Sequence, residues 1–304
     1  MNYKKVIKNQ KTRIAILNLF SFVPDKLMLQ LQYRIKTGYK LNLNNPKRYT
    51  EKLQWYKLFY RDPIMKECAD KGSVREFVSA RGLSHILNKC YGVYDSPEEI
   101  PFDTLPNSFV LKDTLGGGGN SVLLIRDKRH MDKDKLLDQL KQWVNAPIDK
   151  KNIGREWVYE KRKHRIIVEK LLDCPNGDLP DYKFFCFNGK VAYIYMMSNY
   201  REHHELGQLA FLDKDFKLLK VSRDDFNSVM KQPDKPQNYN EMLEMAEILS
   251  TGFPHVRVDF YNINGTIIFG EMTFFNASGY CKFIPDEFDF VLGEYFKLPE
   301  RGRN

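Results

Sequence analysis

Residues 255–280 read HVRVDFYNINGTIIFGEMTFFNASGY. Positions 255–261 alternate and are β-prone, Asn264–Gly265 is a turn signal, and 266–272 form a second β-prone run, so the spacing predicts a hairpin. A turn centred near Gly265 brings Asp259 within about one residue of opposite Glu271, with Cβ atoms roughly 5 Å apart on one face. Like charges so placed repel unless a cation lies between them. Two suppliers are open. Arg257 shares the face of Asp259 by two-residue alternation and can neutralise a solvent-facing pair. A hard divalent metal is the other, since Mg²⁺ typically takes one or two carboxylates together with substrate phosphates.

Around the hairpin, the chain alternates helical and β-prone stretches. Residues 1–60 read mostly helical, broken at Pro46 before RYTEKLQWYKLFY, and 64–90 continue helical to a C-cap signal at Gly82. YGVYDSPEEIPFDTLP (91–106) carries three prolines and reads as a loop-rich lobe boundary. A strand (NSFVLK), a four-glycine turn, a second strand (SVLLIR) and a helix over about 132–144 follow. After a basic, irregular piece (147–164), RIIVEKLL reads as a buried strand. DYKFFCF and KVAYIYMM form a second hairpin across Asn188–Gly189, QLAFLD and KLLKV read as strands, and NYNEMLEMAEILS has helical spacing. Helices interleave with antiparallel hairpins and lack a strict βαβ rhythm. The expected class is α+β, with sheets covered by helices on one side.

The chain has 304 residues, enough for two or three packed lobes, and its 42% apolar content is globular. Its net charge of +9 favours anionic partners without choosing among them. Five widely spaced cysteines (68, 90, 174, 186 and 281) form no CxxC pair, which argues against a disulfide framework or zinc site and fits a reducing cytoplasm. Lys4, Lys5, Lys8, Lys11 and Arg13 precede the apolar run IAILNLFSFV. Pro24, Asp25 and Lys26 then stand where a signal peptide has small residues, so a basic amphipathic helix fits better, docked on the protein itself or on an anionic membrane surface.

Two further signals carry chemistry. Lys112 ends an apolar strand and GGGGNS follows at 116–121, where consecutive glycines let backbone N–H groups converge on a phosphate and the lysine adds a point charge. The pattern is neither a P-loop nor a Rossmann turn, and a flexible surface hairpin is an equal reading. Glu169-Lys170-Leu171-Leu172, at a strand end, can offer backbone groups to an adenine edge or be an ordinary strand end.

In order, strand-Lys, glycine flap, Glu-Lys-apolar hinge, RVDF and a strand-borne Glu resemble the ATP-grasp superfamily. RYTEKLQWYKL, ADKGSVREFV, FVLKDTLGGGGNS, DYKFFCFNGK and VRVDFY…FGEMTF narrow the resemblance to its TupA-like branch, named for teichuronopeptide synthesis, over about residues 46–280. The resemblance implies an ATP-grasp fold, two α+β subdomains gripping ATP after a helical N-terminal region. The implied pieces are 1–60, a small lobe over 61–110, a flap subdomain over 111–170 and a metal-bearing subdomain over 171–304. It implies that Lys71, Lys112 and the flap Gly116, Gly117, Gly118, Gly119, Asn120 and Ser121 meet ATP phosphates. Glu169, Lys170, Leu171 and Leu172 would form the adenine hinge, and Asp181 and Lys183 would lie near the ribose. Asp259 and Glu271 would be the Mg²⁺ ligands, and Arg257, with Lys112, would act at the reacting centre. The chain departs from the family's frequent Glu-x-Asn at Glu271-Met272-Thr273, where Thr273 is a poorer ligand and Asn276 lies further along.

The implied activity is ATP-dependent carboxylate–amine ligation, with acidic saccharide and amine or amino-acid substrates, in the cytoplasm or on the inner face of the plasma membrane. A glycosyltransferase of capsule or O-antigen synthesis is an alternative, and it would need a nucleotide-sugar site. A non-enzymatic nucleic-acid-binding protein is another, but the basic residues are mixed with 39 acids and form no single stripe, so no nucleic acid is expected. A degenerate scaffold that binds nucleotide without chemistry is a fourth. The scattered histidines read as structural or surface groups.

Overall fold

The computed structural model describes residues 20, 22–117, 121–148, 153–172, 178–198, 207–229 and 231–300. Gly118, Gly119 and Asn120 of the flap, the basic positions 4–13 and His203–His204 lie outside these residues. The helices are α1 (Asp25–Thr37), α2 (Tyr49–Phe59), α3 (Ile64–Ala69), α4 (Val74–Ala80), α5 (Lys133–Val144), α6 (Tyr239–Ser250) and α7 (Glu287–Tyr295). The strands are β1 (Cys90–Tyr94), β2 (Phe109–Asp113), β3 (Val122–Ile125), β4 (Ile166–Glu169), β5 (Asp181–Phe187), β6 (Lys190–Ser198), β7 (Gln208–Asp213), β8 (Ser222–Arg223), β9 (Asn227–Ser228), β10 (His255–Ile263), β11 (Thr266–Thr273) and β12 (Phe283–Ile284). The α+β class expected from the sequence is what the chain forms. Among the described residues no helix is long and apolar enough to cross a membrane.

The chain divides into two compact units, one of residues 64–150 with 158–177, the other of 1–63, 151–157 and 178–304. The first holds a four-stranded antiparallel sheet in the order β1-β4-β2-β3. Alternation turns Phe109 and Leu111 of β2 and Ile166 and Val168 of β4 towards Leu136, Leu140 and Trp143 of α5. Asp132 caps α5 by accepting from Lys135 N–H. The opposite sheet face carries Lys112 and Glu169. Two details differ from the sequence reading. Residues 91–94, read as loop, extend β1, which pairs with β4, so most of the expected pieces 61–110 and 111–170 share one unit. KLLKV makes only a single bridge, Leu218 to Leu212, and β9 takes the same edge of β7 at Gln208 and Leu209.

The second unit is built on a six-stranded sheet, β11-β10-β5-β6-β7-β9, antiparallel except at β7–β9. On one face Phe184, Cys186 and Phe260 meet α6 through Tyr239 and Ala246. On the other, Phe185, Phe187 and His255 pack around Tyr49 of α2, and Phe187 also meets Phe296 just beyond α7. Helices α2 and α7 are joined by polar ties. Thr50 donates from N and Oγ1 to Asp289, and Lys52 Nζ donates to the carbonyls of Gly293 and Phe296. By the two-residue period, the face carrying His255 continues along β10 to Arg257 and Asp259.

Candidate functional site

The β10–β11 hairpin turns through Asn264 and Gly265, both at positive φ (51° and 83°), the pair that a two-residue turn matching strand twist requires. Pairing runs without a break from Ile263↔Thr266 to Phe260↔Phe269, then jumps to Asp259↔Glu271. Gly270 is the extra residue of a β-bulge. With Gly270 kept in an unshifted register, Asp259 would face Gly270, and Glu271 would point to the other side of the sheet. A Cβ on Gly270 would stand 3.1 Å from the Asp259 carbonyl oxygen, so the bulge is close-fitting there. The bulge sets the two carboxylates directly opposite each other.

Both carboxylates converge on Arg257. Its Nε and Nη2 donate to Oδ1 and Oδ2 of Asp259, each at 2.7 Å, and Nη2 also donates to Glu271 Oε1 at 3.0 Å. Nη2 reaches Thr273 Oγ1 at 3.1 Å as well. On the other side Nη1 donates to Asn276 Oδ1 (2.5 Å) and Tyr195 OH (3.0 Å), and Tyr195 OH donates to Asn276 Oδ1 (3.1 Å). Lys183 Nζ, from the neighbouring β5, donates to Asp259 Oδ2 at 2.5 Å and also bonds Asp181. The network grades from inside to outside. The Asp259 side chain is 2% exposed and that of Glu271 is 40% exposed.

The electrostatics follow from this packing. Burial opposes the charge of Arg257, but Asp259 and Tyr195 outweigh it and hold the guanidinium well above its ordinary range. Lys183 behaves alike: burial pulls it down, and Asp181 and Asp259 more than reverse that. Burial pushes Asp181 up to about 6 against the pull of Lys183, and its Oδ1 is buried with no hydrogen-bond partner. His255, also on this face, is pushed down to about 3 by burial. With Nδ1 on the Cys186 carbonyl and Nε2 on Tyr49 OH, it is a neutral structural group.

Asn276 opens a tight turn whose next three residues, Ala277, Ser278 and Gly279, all have positive φ. Two buried side chains of α2 hold this turn. Gln54 Nε2 donates to the carbonyls of Ser278 (3.1 Å) and Gly279 (2.8 Å), and Lys57 Nζ donates to those of Ser278 (2.8 Å) and Gly154 (2.7 Å). Burial pushes the Lys57 ammonium down to about 7.

The donor set suits a hard cation. Asp259 and Glu271 each place a carboxylate oxygen within 3.0 Å of one point, the position of Arg257 Nη2, and Glu271 is open to solvent. Among the described residues no group of three or more His, Cys, Asp or Glu surrounds a possible metal position, so substrate oxygens would have to complete the coordination, as is usual for Mg²⁺. Thr273 and Asn276 are engaged on opposite sides of the guanidinium.

The remaining expected residues lie in the other unit. Lys112 Nζ donates to Glu169 Oε2 at 2.8 Å and Arg75 Nη1 to Oε1 at 3.2 Å, so Glu169 is the anchor of two cations. Lys71 Nζ bonds the Gly116 carbonyl, and its N–H bonds that of Thr114 (2.9 Å), fixing the lysine to the start of the glycine loop. The loop closes through Asp113 N–H on the Ser121 carbonyl at 3.0 Å. In the hinge, Lys170 N–H donates to the Lys89 carbonyl and its own carbonyl accepts from Asn88 Nδ2, both at 2.8 Å. Leu171 is buried and Leu172 half-buried. Arg75 and Tyr195 were not among the expected residues. Arg75 follows Lys71 by four positions, and Tyr195 shares a strand face with Tyr193, weak signals that single out neither. A cavity of about 550 Å³, bounded by Lys47, Lys52, Trp55 and Lys297 among others, contains none of these residues.

The family model "TupA-like ATPgrasp" matches residues 51–297. No curated protein matches the chain. Solved structures that resemble it include D-alanine–D-alanine ligase from Bacillus anthracis (18% identity, 68% of this chain and 56% of that one, TM-score 0.39). Others are an L-amino acid ligase from Bacillus licheniformis (15%, 76% and 48%, 0.43) and an N5-carboxyaminoimidazole ribonucleotide synthetase in complex with ADP (13%, 83% and 56%, 0.45). The chain spans about half the length of these solved proteins.

Proposed function

The chain belongs to the TupA-like ATP-grasp family, and on that premise we propose that it is an ATP-dependent carboxylate–amine ligase. Its substrates are an amino acid or other small amine and a uronic-acid-containing surface polysaccharide or precursor. The observation that carries this reading is the meeting of Asp259 and Glu271 at Arg257 Nη2. Two oxygen ligands and a fixed guanidinium at one point suit a centre where phosphoryl and then acyl charge develops.

The chemistry explains the residue types. A carboxylate repels an approaching amine nucleophile. Its oxygen attacks the γ-phosphorus of ATP, ADP leaves, and the resulting acyl phosphate is electrophilic. The amine nitrogen then forms the C–N bond, phosphate departs with the bonding pair, and the nitrogen loses a proton. Lys71 and Lys112 balance phosphate charge, and the amides of the glycine loop supply donors. Residues 169–172 hold the base. The bare Oδ1 of Asp181 is an acceptor suited to a ribose hydroxyl. Arg257, kept charged by Asp259, stabilises the oxyanion. Mg²⁺ on Asp259 and Glu271 would neutralise phosphate oxygens. An acidic saccharide is one of the anionic partners that the +9 net charge suits.

The test is amine-dependent ADP release by the full chain with uronic acids and amino acids, in parallel with hydroxylamine trapping of the acyl phosphate. An acyl hydroxamate formed only with ATP and the carboxylate is expected. Sugar transfer from a nucleotide sugar without ATP consumption would replace this reading with a glycosyltransferase.

A further inference from the structure

Helix α1 is amphipathic twice over. Met28, Leu29, Gln32 and Tyr33 are buried against the protein, as a surface helix requires. Its outward side is apolar as well. Leu27, Leu31 and Ile35 recur at four-residue steps, stack on one side of the helix and are 56%, 54% and 46% exposed. Phe22, just before the helix, is 81% exposed. Fourteen large hydrophobic residues are exposed among the described residues, and those within 20–39 are Phe20, Phe22, Leu27, Leu31, Ile35 and Tyr39. Singly exposed hydrophobic residues are ordinary, whereas a contiguous stripe marks an interaction surface.

Charge indicates what covers the stripe. Lys26, Gln30 and Arg34 run beside it at the same four-residue step, and Lys40 follows, with Lys26, Arg34 and Lys40 exposed. The sequence leading into α1 carries Lys4, Lys5, Lys8, Lys11 and Arg13 and no acidic residue before Asp25. An apolar stripe with a basic edge is the composition of a helix lying in the plane of an anionic bilayer surface. Apolar side chains enter the acyl boundary there while Lys and Arg reach lipid phosphates.

We infer that the exposed face of α1, centred on Leu27, Leu31 and Ile35, docks this protein on an anionic membrane surface. Docking is independent of the ligase reading, because it requires neither nucleotide nor the Arg257 network.

The test is co-flotation of the full chain with phosphatidylcholine vesicles and with vesicles also containing phosphatidylglycerol, without ATP. The wild type is expected to float with the anionic vesicles and not the neutral ones, with binding that weakens as salt rises. L27Q/L31Q/I35Q, which keeps every charge, is expected to lower partitioning roughly a hundredfold with an unchanged melting curve. Should the triple variant melt early, K26Q/R34Q serves in its place and is expected to lose the salt-sensitive part of binding. Absence of wild-type flotation, or equal flotation by the triple variant, overturns the inference. So does light scattering that shows a wild-type dimer which the triple variant dissociates, with no vesicle binding by either, because the stripe then covers a second copy.

Discussion

Arg257 satisfies two carboxylates, two hydroxyls and a carboxamide at once, and each partner fixes one edge of a planar group. A guanidinium forked this way is pre-organised and cannot lose its charge, unlike a lysine in the same place. His255, two residues earlier on the same face, has the opposite character: neutral, buried and bonded at both nitrogens. Its ordinary value of 6.5 falls to about 3 in the folded chain, so between those values the unfolded chain takes up the proton first. Stability from this group is therefore complete above pH 6.5 and is lost as pH falls towards 3, by an order of a few kcal/mol. Asp181 and Asp289, pushed up to about 6 by burial, act in the other direction between 6 and 3.8. The His255 contribution is therefore read as the difference from His255→Asn. Denaturant melts across this range are expected to show the wild type losing more stability on acidification than the variant. Parallel curves would mean that His255 is not held neutral. At this scale the sequence made Arg257 and Asp259 legible, because charge and two-residue alternation place them on one face, whereas the face of Glu271 depends on the bulge. Lys183 on Asp259, Tyr195 on Arg257 and Arg75 on Glu169 are contacts across strands and helices remote in sequence, which local pattern does not encode.

Among the elements, the β10–β11 hairpin depends on one inserted residue. The turn was readable from Asn264–Gly265, but counting outward from it puts Glu271 on the wrong face, and the Gly270 bulge restores it. Deleting Gly270 is expected to make Phe260↔Phe269 and Asp259↔Glu271 consecutive pairs of a regular ladder, so that Glu271 stays opposite Asp259 and the core residues Val258 and Phe260 keep their face. Circular dichroism should stay native-like and amine-dependent ADP release should stay within about tenfold of the wild type. A loss of about a hundredfold or more with native-like dichroism would show that opposing Glu271 to Asp259 is not what the bulge is for. The β5–β6 hairpin and helices α5 and α6 were equally legible, since each has a strong local period. The end of β1 was not, because proline-rich sequence follows it and its partner β4 lies more than seventy residues away.

For the whole chain, the family match over residues 51–297 agrees with the co-linear order of motifs, none specific by itself. The first fifty residues lie outside that match, and they include the helix assigned above to a membrane surface. The two proposed functions would therefore occupy separable parts of the chain, one the Asp259–Arg257–Glu271 centre, the other the outer face of α1. The most direct test of the central claim is the Mg²⁺ dependence of ADP release in Glu271→Gln. This side chain is 40% exposed and glutamine keeps an acceptor for Arg257 Nη2, so the variant should melt within about 1 kcal/mol of the wild type. Turnover is expected to fall at least about a hundredfold, with a raised Mg²⁺ requirement. Wild-type turnover at wild-type Mg²⁺ concentrations would contradict the claim.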